Sequence, residues 1–329
     1  MVITQTPLRI SFAGGGSDLR EFYREGAGQV ISTAIDKYIF VIIKERFDNS
    51  IVLNYSSKEI VDDVSQIKHE LIREAMLKTN LGNGVEISTL ADIPSEGSGL
   101  GSSSSLLVGL LNAMYMYQGR QVTAEQLAEE ACEIEIGRCG KPIGKQDQYI
   151  AAFGGLRTFT FHPDETVSNE HVELSARSLW QFGTNLMLFY TNRTRRSSEI
   201  LTEQKQATRE KRKVIEAMLP LVAKIREALQ SRRFDDVGYA LHEGWMLKRK
   251  MASKISDEQI DDAYDRALKS GALGGKIAGA GGGGFLMLYV PPEHQERVRC
   301  ALSDLFELTF LPERDGSKII FNLKRYPFK

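Results

Sequence analysis

The chain has 329 residues, 42% of them hydrophobic and 26% charged, with a formal net charge of −1. This balance is typical of a soluble globular protein and excludes a general attraction to nucleic acid or to anionic membranes. The length favours two domains. Because no apolar run reaches the ~18 to 20 residues of a membrane span, and because the three cysteines fit no CxxC or zinc spacing, we expect a cytoplasmic protein with small-molecule partners.

The first half of the chain predicts alternating strands and helices. Residues 28–53 are rich in Val, Ile, Tyr and Phe with a polar break at 48–50, which predicts strands joined by a turn. Apolar spacing predicts a helix over 58–78, a strand over 85–90 and a helix over 103–117. Thr123 and Gln126 form a capping box that opens another helix, which should end near Gly137. The segment 140–155 then reads as a loop with a short helical middle.

The second half predicts a similar mixture. Strands are expected at 156–161 and 185–191, followed by a long polar helix from about Ser197 that Pro220 should kink or split. Ser256 and Gln259 form a second capping box, and a final helix and strand follow. Since strands and helices occur without regular βαβ repetition, we predict an α+β fold of two layers. The predicted domains are 1–183 and 184–329.

The first glycine-rich loop is RISFAGGGSD, at 9–18, directly after a predicted strand. Successive glycines let a ligand approach the backbone closely, and a carboxylate such as Asp18 suits sugar hydroxyls because it accepts from two donors at once. The alternative is a tight turn capped by Ser17 and Asp18.

The second loop is GSGLGSSSS, in which Gly97, Gly99 and Gly101 precede four serines and a predicted helix. The first turn of a helix presents unpaired N–H groups and a positive dipole end, so the loop predicts a phosphate site. A helix cap with spacer residues is the alternative, although a cap needs one serine rather than four. Because the loop lacks the Walker A lysine, magnesium would balance the charge through one serine hydroxyl and one carboxylate.

Two further segments carry candidate chemistry. GAGGGG at 279–284 precedes a predicted strand rather than a helix, so a nicotinamide dinucleotide site is not expected, although a ligand or the opposite domain could approach closely. Asp147, in GKQDQ, could accept a proton from a substrate hydroxyl, with Lys145 keeping it ionised, or could simply cap a helix. Glu135, between two isoleucines, is the candidate for a partly buried metal ligand.

Taken together and in order, RISFAGGGSD, the segment PSEGSGLGSS, GKQDQ and KIAGAGGGGF resemble the motifs of the GHMP kinases. The resemblance covers nearly the whole chain. It implies an ATP-binding N-terminal domain like domain 2 of ribosomal protein S5, a ferredoxin-like C-terminal domain, and the cofactors ATP and Mg²⁺.

The resemblance also implies roles for individual residues. Asp147 would be the catalytic base or orient the attacking hydroxyl, and Arg9 would place the substrate and polarise that hydroxyl. Magnesium would be held by Ser103 and Glu135. The ATP phosphates would be held by Gly97, Gly99, Leu100, Gly101, Ser102, Ser103 and Ser104. The substrate would be contacted by Gly14, Gly15, Gly16, Ser17, Asp18, Arg195, Arg196, Gly281 and Gly282.

Within the family, PLRISFAGGGSDLREFY and TNRTRRSSEIL resemble the members that phosphorylate the anomeric hydroxyl of D-glycero-D-manno-heptose 7-phosphate for GDP-heptose synthesis. A phosphorylated sugar needs a cationic pocket, for which Arg193, Arg195, Arg196 and Lys37 are candidates. The alternatives are a kinase for an unphosphorylated sugar such as fucose or galactose, a related decarboxylase, and a non-catalytic nucleotide or sugar sensor. A homodimer is one expectation for the assembly.

Overall fold

Two long antiparallel strands form the centre of the larger of two sheets. Strand β1 (Val2–Ala13) pairs with β2 (Gly28–Glu45), an 18-residue strand that also pairs with several later strands. Both strands bury many Val, Ile and Leu side chains, as the sequence predicts, together with polar residues such as Thr4, Thr6 and Arg9. The computed structural model describes residues 1–94, 97–193, 211–251 and 255–323.

The larger sheet contains nine strands. Its main order is β13-β1-β2-β5-β3-β4, with β12 and β6 also paired to β2 and with β7 paired to β6. The bounds of the added strands are β3 (Ile51–Asn54), β4 (Lys58–Val61), β5 (Val85–Ala91), β6 (Leu156–Phe161), β7 (Val167–His171), β12 (Pro312–Glu313) and β13 (Lys318–Asn322).

The helix expected over 58–78 begins later than the spacing indicated. Residues 58–61 form strand β4, and helix α2 spans Glu70–Thr79. Glu59 is buried and accepts from the backbone N–H groups of Lys68 and His69 at 2.7 and 3.1 Å. This carboxylate holds the chain in a turn before the helix, so the first part of the prediction was wrong.

Helices cover one face of the larger sheet. Helix α3 packs across β1 and β2, where the Thr4 hydroxyl donates to the Gly109 carbonyl at 3.1 Å. The Thr123 hydroxyl caps α4 by accepting from Gln126 N, which confirms the predicted helix start. The bounds are α1 (Arg20–Tyr23), α3 (Ser102–Tyr117), α4 (Ala124–Cys132) with a π-helical continuation at Glu133–Arg138, α5 (Gln146–Phe153) and α6 (Ala176–Thr184).

The smaller sheet has four antiparallel strands. These are β8 (Leu186–Tyr190), β9 (Gly274–Ile277), β10 (Phe285–Tyr289) and β11 (Phe306–Leu308), in the order β11-β8-β10-β9. Numbered along the chain, this is the order 4-1-3-2 with helices after the first and third strands, which confirms the ferredoxin-like expectation. The helices are α7 (Arg212–Met218), α8 (Pro220–Gln230), α9 (Phe234–Lys248), α10 (Glu258–Lys269) and α11 (Gln295–Ala301).

In this half, the predicted helix break at Pro220 is confirmed, whereas the predicted helix cap at Ser256 is wrong. Pro220 occupies the first turn of α8 and separates it from α7, as expected. Helix α10 is capped by Asp257, whose Oδ1 accepts from Gln259 N and Ile260 N. Ser256 instead donates to Asp261 at 2.5 Å. A carboxylate that accepts from two N–H groups is the stronger cap.

The two sheets are linked by packing and by the return of the chain. Helix α8 contacts β1 and β2, and the late strands β12 and β13 pair with β2 and β1. The division at residue 183 therefore stays a prediction. No helix in the described part of the chain is long and apolar enough to cross a membrane.

Gly154 at the end of α5 generates the first testable prediction. Its φ is +65°, and an added Cβ would lie 2.1 Å from the Asp315 carbonyl carbon, so Gly154→Ala should destabilise the protein by about 2 kcal/mol or more. The measurement is chemical unfolding. Gly82→Ala, where a Cβ meets nothing within 4 Å, is the matched control. Equal stability of the two variants would contradict the close packing described here.

Candidate active site

The three glycine-rich loops and the loop before Asp147 line one cavity of about 790 Å³. The wall includes residues 14–16, most of 97–104 and residues 141–144, together with Gly279 and Ala280. Helices α7, α8 and α9 contribute further side chains. A concave site of this size, built from both sheets, is suited to a small-molecule ligand.

Arg9 and Asp147 meet inside this cavity as a bidentate ion pair. Arg9 Nε donates to Asp147 Oδ1 at 2.7 Å, and Arg9 Nη2 donates to Oδ2 at 2.6 Å. The third donor of Arg9, Nη1, reaches the Gly99 carbonyl at 2.6 Å. Arg9 is 4% exposed, whereas the Asp147 side chain keeps 22% exposure. The pair therefore fixes the carboxylate plane and leaves part of it accessible to a ligand.

Arg9, rather than Lys145, is the cation that pairs with Asp147. Lys145 Nζ donates to Glu165 Oε2 at 2.7 Å and lies 4.9 Å from the centre of the Tyr23 ring. Lys145 and Asp147 are two positions apart at the start of α5, so their side chains point in different directions. The expected role of Lys145 beside Asp147 is corrected accordingly.

Asp18 lies close to this ion pair on the cavity wall. It is buried, and it accepts from Gly16 N and from Gln146 Nε2, both at 2.9 Å. Burial and, secondly, the charge of Asp147 raise the pKa of the Asp18 carboxyl. Gly144 allows this approach, because a Cβ there would lie 2.0 Å from Asp18 Oδ2.

The first glycine loop is held in shape by Ser17. The Ser17 hydroxyl donates to the Gly14 and Gln29 carbonyls at 2.7 and 3.0 Å and accepts from Gln29 N. The structure places Gly14, Gly15, Gly16 and Asp18 on the cavity wall, whereas Ser17 is fully buried behind it. Ser17 thus positions the loop from behind.

Helix α3 begins at the cavity with free backbone N–H groups. Gly101 is its N-cap with φ +81°, and no side chain caps the helix. The first helical bond runs from Ser105 N to Gly101 O at 3.0 Å, so the N–H groups of the three preceding serines lack intrahelical acceptors. Leu100 is buried off the wall, and its carbonyl accepts from Arg9 N. This helix start fits an anion such as a phosphate group.

Glu135 lies beneath this helix start. It is 1% exposed and accepts from the Ser103 and Ser104 hydroxyls at 2.6 and 2.7 Å and from Gln148 Nε2 at 2.7 Å. Burial raises the pKa of Glu135. The described ranges contain no cluster of three His, Cys, Asp or Glu. A carboxylate beside an exposed serine hydroxyl fits Mg²⁺, which takes one or two protein carboxylates together with phosphate oxygens.

Some of the expected site residues lie away from the cavity. Gly279 and Ala280 line it, but Gly281 and Gly282 face Ile255, whose carbonyl accepts from Gly282 N at 2.8 Å. Arg193 pairs with Asp257, Lys37 pairs with Asp36, and neither cation lines the cavity. Arg195 and Arg196 lie outside the described residues.

The cavity residues that the sequence reasoning missed include two lysines, Lys248 on α9 and Lys276 on β9. Burial and, secondly, the charge of Arg9 lower the pKa of Lys248 to about 8. Burial and then the charges of Lys248 and Arg9 lower the pKa of Lys276 well below its usual value. A charged residue inside the apolar strand before GAGGGG was the available signal for Lys276. Lys248 lies in the basic run LKRK, where nothing distinguishes it from surface lysines.

Comparison with known proteins identifies the family. The model of the GHMP kinase N-terminal domain matches residues 64–155, and that of the GHMP kinase C-terminal domain matches 225–308. A D-glycero-alpha-D-manno-heptose 7-phosphate kinase of Campylobacter jejuni is 30% identical over 317 residues, which cover 91% of this chain and 92% of that protein. The chain belongs to the GHMP kinases. Members of this family use ATP as phosphoryl donor, and this GHMP kinase is an ATP-dependent enzyme.

Two further relatives extend the comparison. The crystal structure of a D-glycero-D-manno-heptose 1-phosphate kinase from Bacteroides thetaiotaomicron superposes with a TM-score of 0.82 at 25% identity, covering 98% of this chain and all of that one. A galactokinase of Pyrococcus furiosus is 23% identical, with 92% of each chain covered. These similarities make this GHMP kinase a sugar-kinase homologue and leave its exact sugar open.

The buried ion pair generates the second prediction, a double-mutant cycle on folding stability. Asp147→Asn leaves Arg9 buried without a counterion. The losses of stability in Arg9→Met and Asp147→Asn should therefore add up to more than the loss in the double variant, by a coupling energy of about 1.5 kcal/mol or more. Chemical unfolding measures it. The exposed pair Arg233 and Glu227, joined at 2.9 Å, is the control and should show no measurable coupling. Additive losses at Arg9 and Asp147 would refute the pairing.

Proposed function

We propose that this GHMP kinase transfers the γ-phosphoryl group of ATP to the anomeric hydroxyl of D-glycero-D-manno-heptose 7-phosphate, giving the 1,7-bisphosphate. The observation that carries the proposal is the Arg9–Asp147 ion pair, which lies in one cavity with Asp18 and with the uncapped start of α3. The full-length similarity to a heptose 7-phosphate kinase supports the choice of sugar.

In the proposed reaction, Asp147 orients the attacking hydroxyl. The sugar oxygen forms a bond to the γ-phosphorus, the bond from that phosphorus to the bridging oxygen breaks, and ADP leaves. The hydroxyl proton passes to Asp147 and then to solvent. Both Asp147 oxygens accept from Arg9, yet each keeps a second lone pair for the substrate hydroxyl. Because the transition state is loose, positioning matters more than basicity.

The donor half of the site would be the start of α3. Its free N–H groups and helix dipole would hold ATP phosphates, and Ser103 with Glu135 would hold Mg²⁺. When bound, the ion would neutralise charge on the phosphate oxygens. Glu135 is already oriented by Ser104 and Gln148, so the carboxylate would not have to reorganise.

The acceptor half would be formed by the first loop and Asp18. Gln146 fixes one carboxylate oxygen of Asp18, and the glycine backbone at 14–16 leaves space for a sugar ring. Among the cations suggested for the distal phosphate, Arg195 and Arg196 remain candidates from the sequence alone.

One observation favours a second candidate, a kinase for an unphosphorylated sugar. Arg193 and Lys37, two of the four suggested phosphate-binding cations, are each paired with a carboxylate. The similarity to a galactokinase supports this alternative.

The deciding experiment is an ADP-release assay with ATP and Mg²⁺ against a panel of acceptors. The panel contains the heptose 7-phosphate, the heptose 1-phosphate, mannose, fucose and galactose, with products assigned by phosphorus NMR. We expect turnover on the 7-phosphate and a new anomeric phosphate resonance. Turnover only on a free sugar would replace the proposed substrate with the second candidate, and absence of turnover on all five would contradict both candidates.

Asp147 has its own kinetic prediction. Asp147→Asn keeps the side-chain size but weakens acceptance of the hydroxyl proton, so kcat should fall by roughly 10²-fold or more while ATP affinity changes little. Rapid-quench turnover and ATP titration separate the two effects. Asp164→Asn, in an exposed turn where Asp164 accepts from Thr166, serves as control. A variant with normal kcat would remove Asp147 from this role.

A further inference from the structure

We infer that Lys276 and Lys248 form an anion site that holds the phosphoryl group during its transfer. The inference rests on the proposed kinase reaction but not on the identity of the sugar. Lys276 lies in β9, whose four residues are all buried, and it is only 7% exposed. It nevertheless lines the cavity. In the part of the chain that the structure describes, no hydrogen-bond acceptor or ion-pair partner for its ammonium group is found. A buried ammonium group without such a partner is costly, so a ligand that supplies one is expected.

Lys248 lies at the junction of two loops. It is the last residue of α9, and its ammonium group donates to the Gly279 carbonyl. Gly279 in turn touches the backbone of the second glycine-rich loop, since a Cβ on it would lie 2.7 Å from Gly99 Cα. Arg9 also donates to the Gly99 carbonyl. Lys248 is therefore linked through Gly279 to Gly99, which lies just before the start of α3 and also contacts Arg9.

The charges around the two lysines favour binding of an anion. Arg9 from β1 and Asp18 from the first loop act on both lysines, and the charge of Lys248 acts in addition on Lys276. Arg9 is neutralised by Asp147. Glu135, another carboxylate on the cavity wall, accepts from Ser103, Ser104 and Gln148. Among the described residues, Asp18 is the carboxylate whose charge acts on both ammonium groups, and its two oxygens already accept from Gly16 and Gln146.

The transferred phosphoryl group fits this site better than the distal phosphate of a sugar phosphate. Both lysines are coupled to Arg9 and Asp18, which flank Asp147, where the reacting hydroxyl would lie. A 7-phosphate would lie at the other end of the sugar. Cations aimed at the position where charge is redistributed stabilise the transition state of phosphoryl transfer.

The first test combines stability with turnover. Lys276→Met removes a buried amine for which the described residues offer no partner, so the free protein should gain about 2 °C or more in Tm, while kcat falls by about 10²-fold and the KM for ATP stays within about threefold. Lys224→Met, at an exposed lysine that pairs with Glu243, should change neither. A fall in Tm with unchanged kcat would show that Lys276 is a structural residue and would overturn the inference.

The second test uses pH and the conservative variant. Because the pKa of Lys248 is about 8 in the free protein, anion binding above that pH requires proton uptake, and kcat/KM should fall by up to about tenfold per pH unit. Lys248→Arg keeps its charge at high pH and should lose this decline. Lys248→Met should be slow at every pH. An identical decline in the arginine variant would exclude Lys248 as its source.

The third test needs no sugar. Inorganic phosphate should raise the Tm of the wild-type protein, and this shift should be smaller in Lys276→Met and Lys248→Met, where the start of α3 remains as an anion site, but unchanged in Lys224→Met. Full retention of the shift in both cavity variants would overturn the anion site. This measurement still tests the anion site if every acceptor in the panel is inactive. Failure of the inference can therefore be distinguished from failure of the proposed function.

Discussion

The bidentate ion pair between Arg9 and Asp147 is the constraint on which the rest of the site depends. It joins β1 to the first turn of α5 across 138 positions of sequence, and through Nη1 it also holds the Gly99 carbonyl of the serine loop. The arginine has lost nearly all contact with water, so its charge is tolerated only while both partners stay in place. Three separate segments are thereby held in one geometry.

Close backbone contacts determine how these segments fit together. A Cβ on Gly99 would lie 2.4 Å from the Ala278 carbonyl oxygen, and one on Gly144 would lie 2.0 Å from Asp18 Oδ2. Glycine is required at both positions because the second glycine-rich loop touches the third, and because the loop before Asp147 touches Asp18. The glycine motifs therefore serve two purposes, since they make room for ligand and let loops from both sheets meet. This packing explains why the cavity lies between the two halves of the fold.

Local patterns in the sequence predicted the parts of the site but not their partners. The serine loop and Asp147 were identified because glycine runs, helix starts and polar loops are visible within ten residues, whereas Arg9 was indicated only by the family resemblance of its motif. The cation that pairs with Asp147 was not predictable, because Lys145 is near in sequence and Arg9 is near only after folding. Glu59 shows the same limit in the fold, since its bonds to Lys68 and His69 override the helical spacing of 58–78. Gly279 lines the cavity whereas Gly281 and Gly282 do not, and a run of identical glycines does not show where the third loop turns away.

The two cavity lysines, Lys248 and Lys276, affect the electrostatics of the site. Their depressed pKa values mean that the folded protein disfavours their charged forms, so binding of an anion beside them would be favourable. An anion that binds there would restore their proton affinity and relieve part of that cost. The cations would then be oriented before the reaction begins, so little reorganisation would accompany the redistribution of phosphoryl charge. On this hypothesis, Lys276 and Lys248 lower the stability of the ligand-free protein and at the same time provide a preorganised site for the transition state. Active-site residues in enzymes often lower stability in this way.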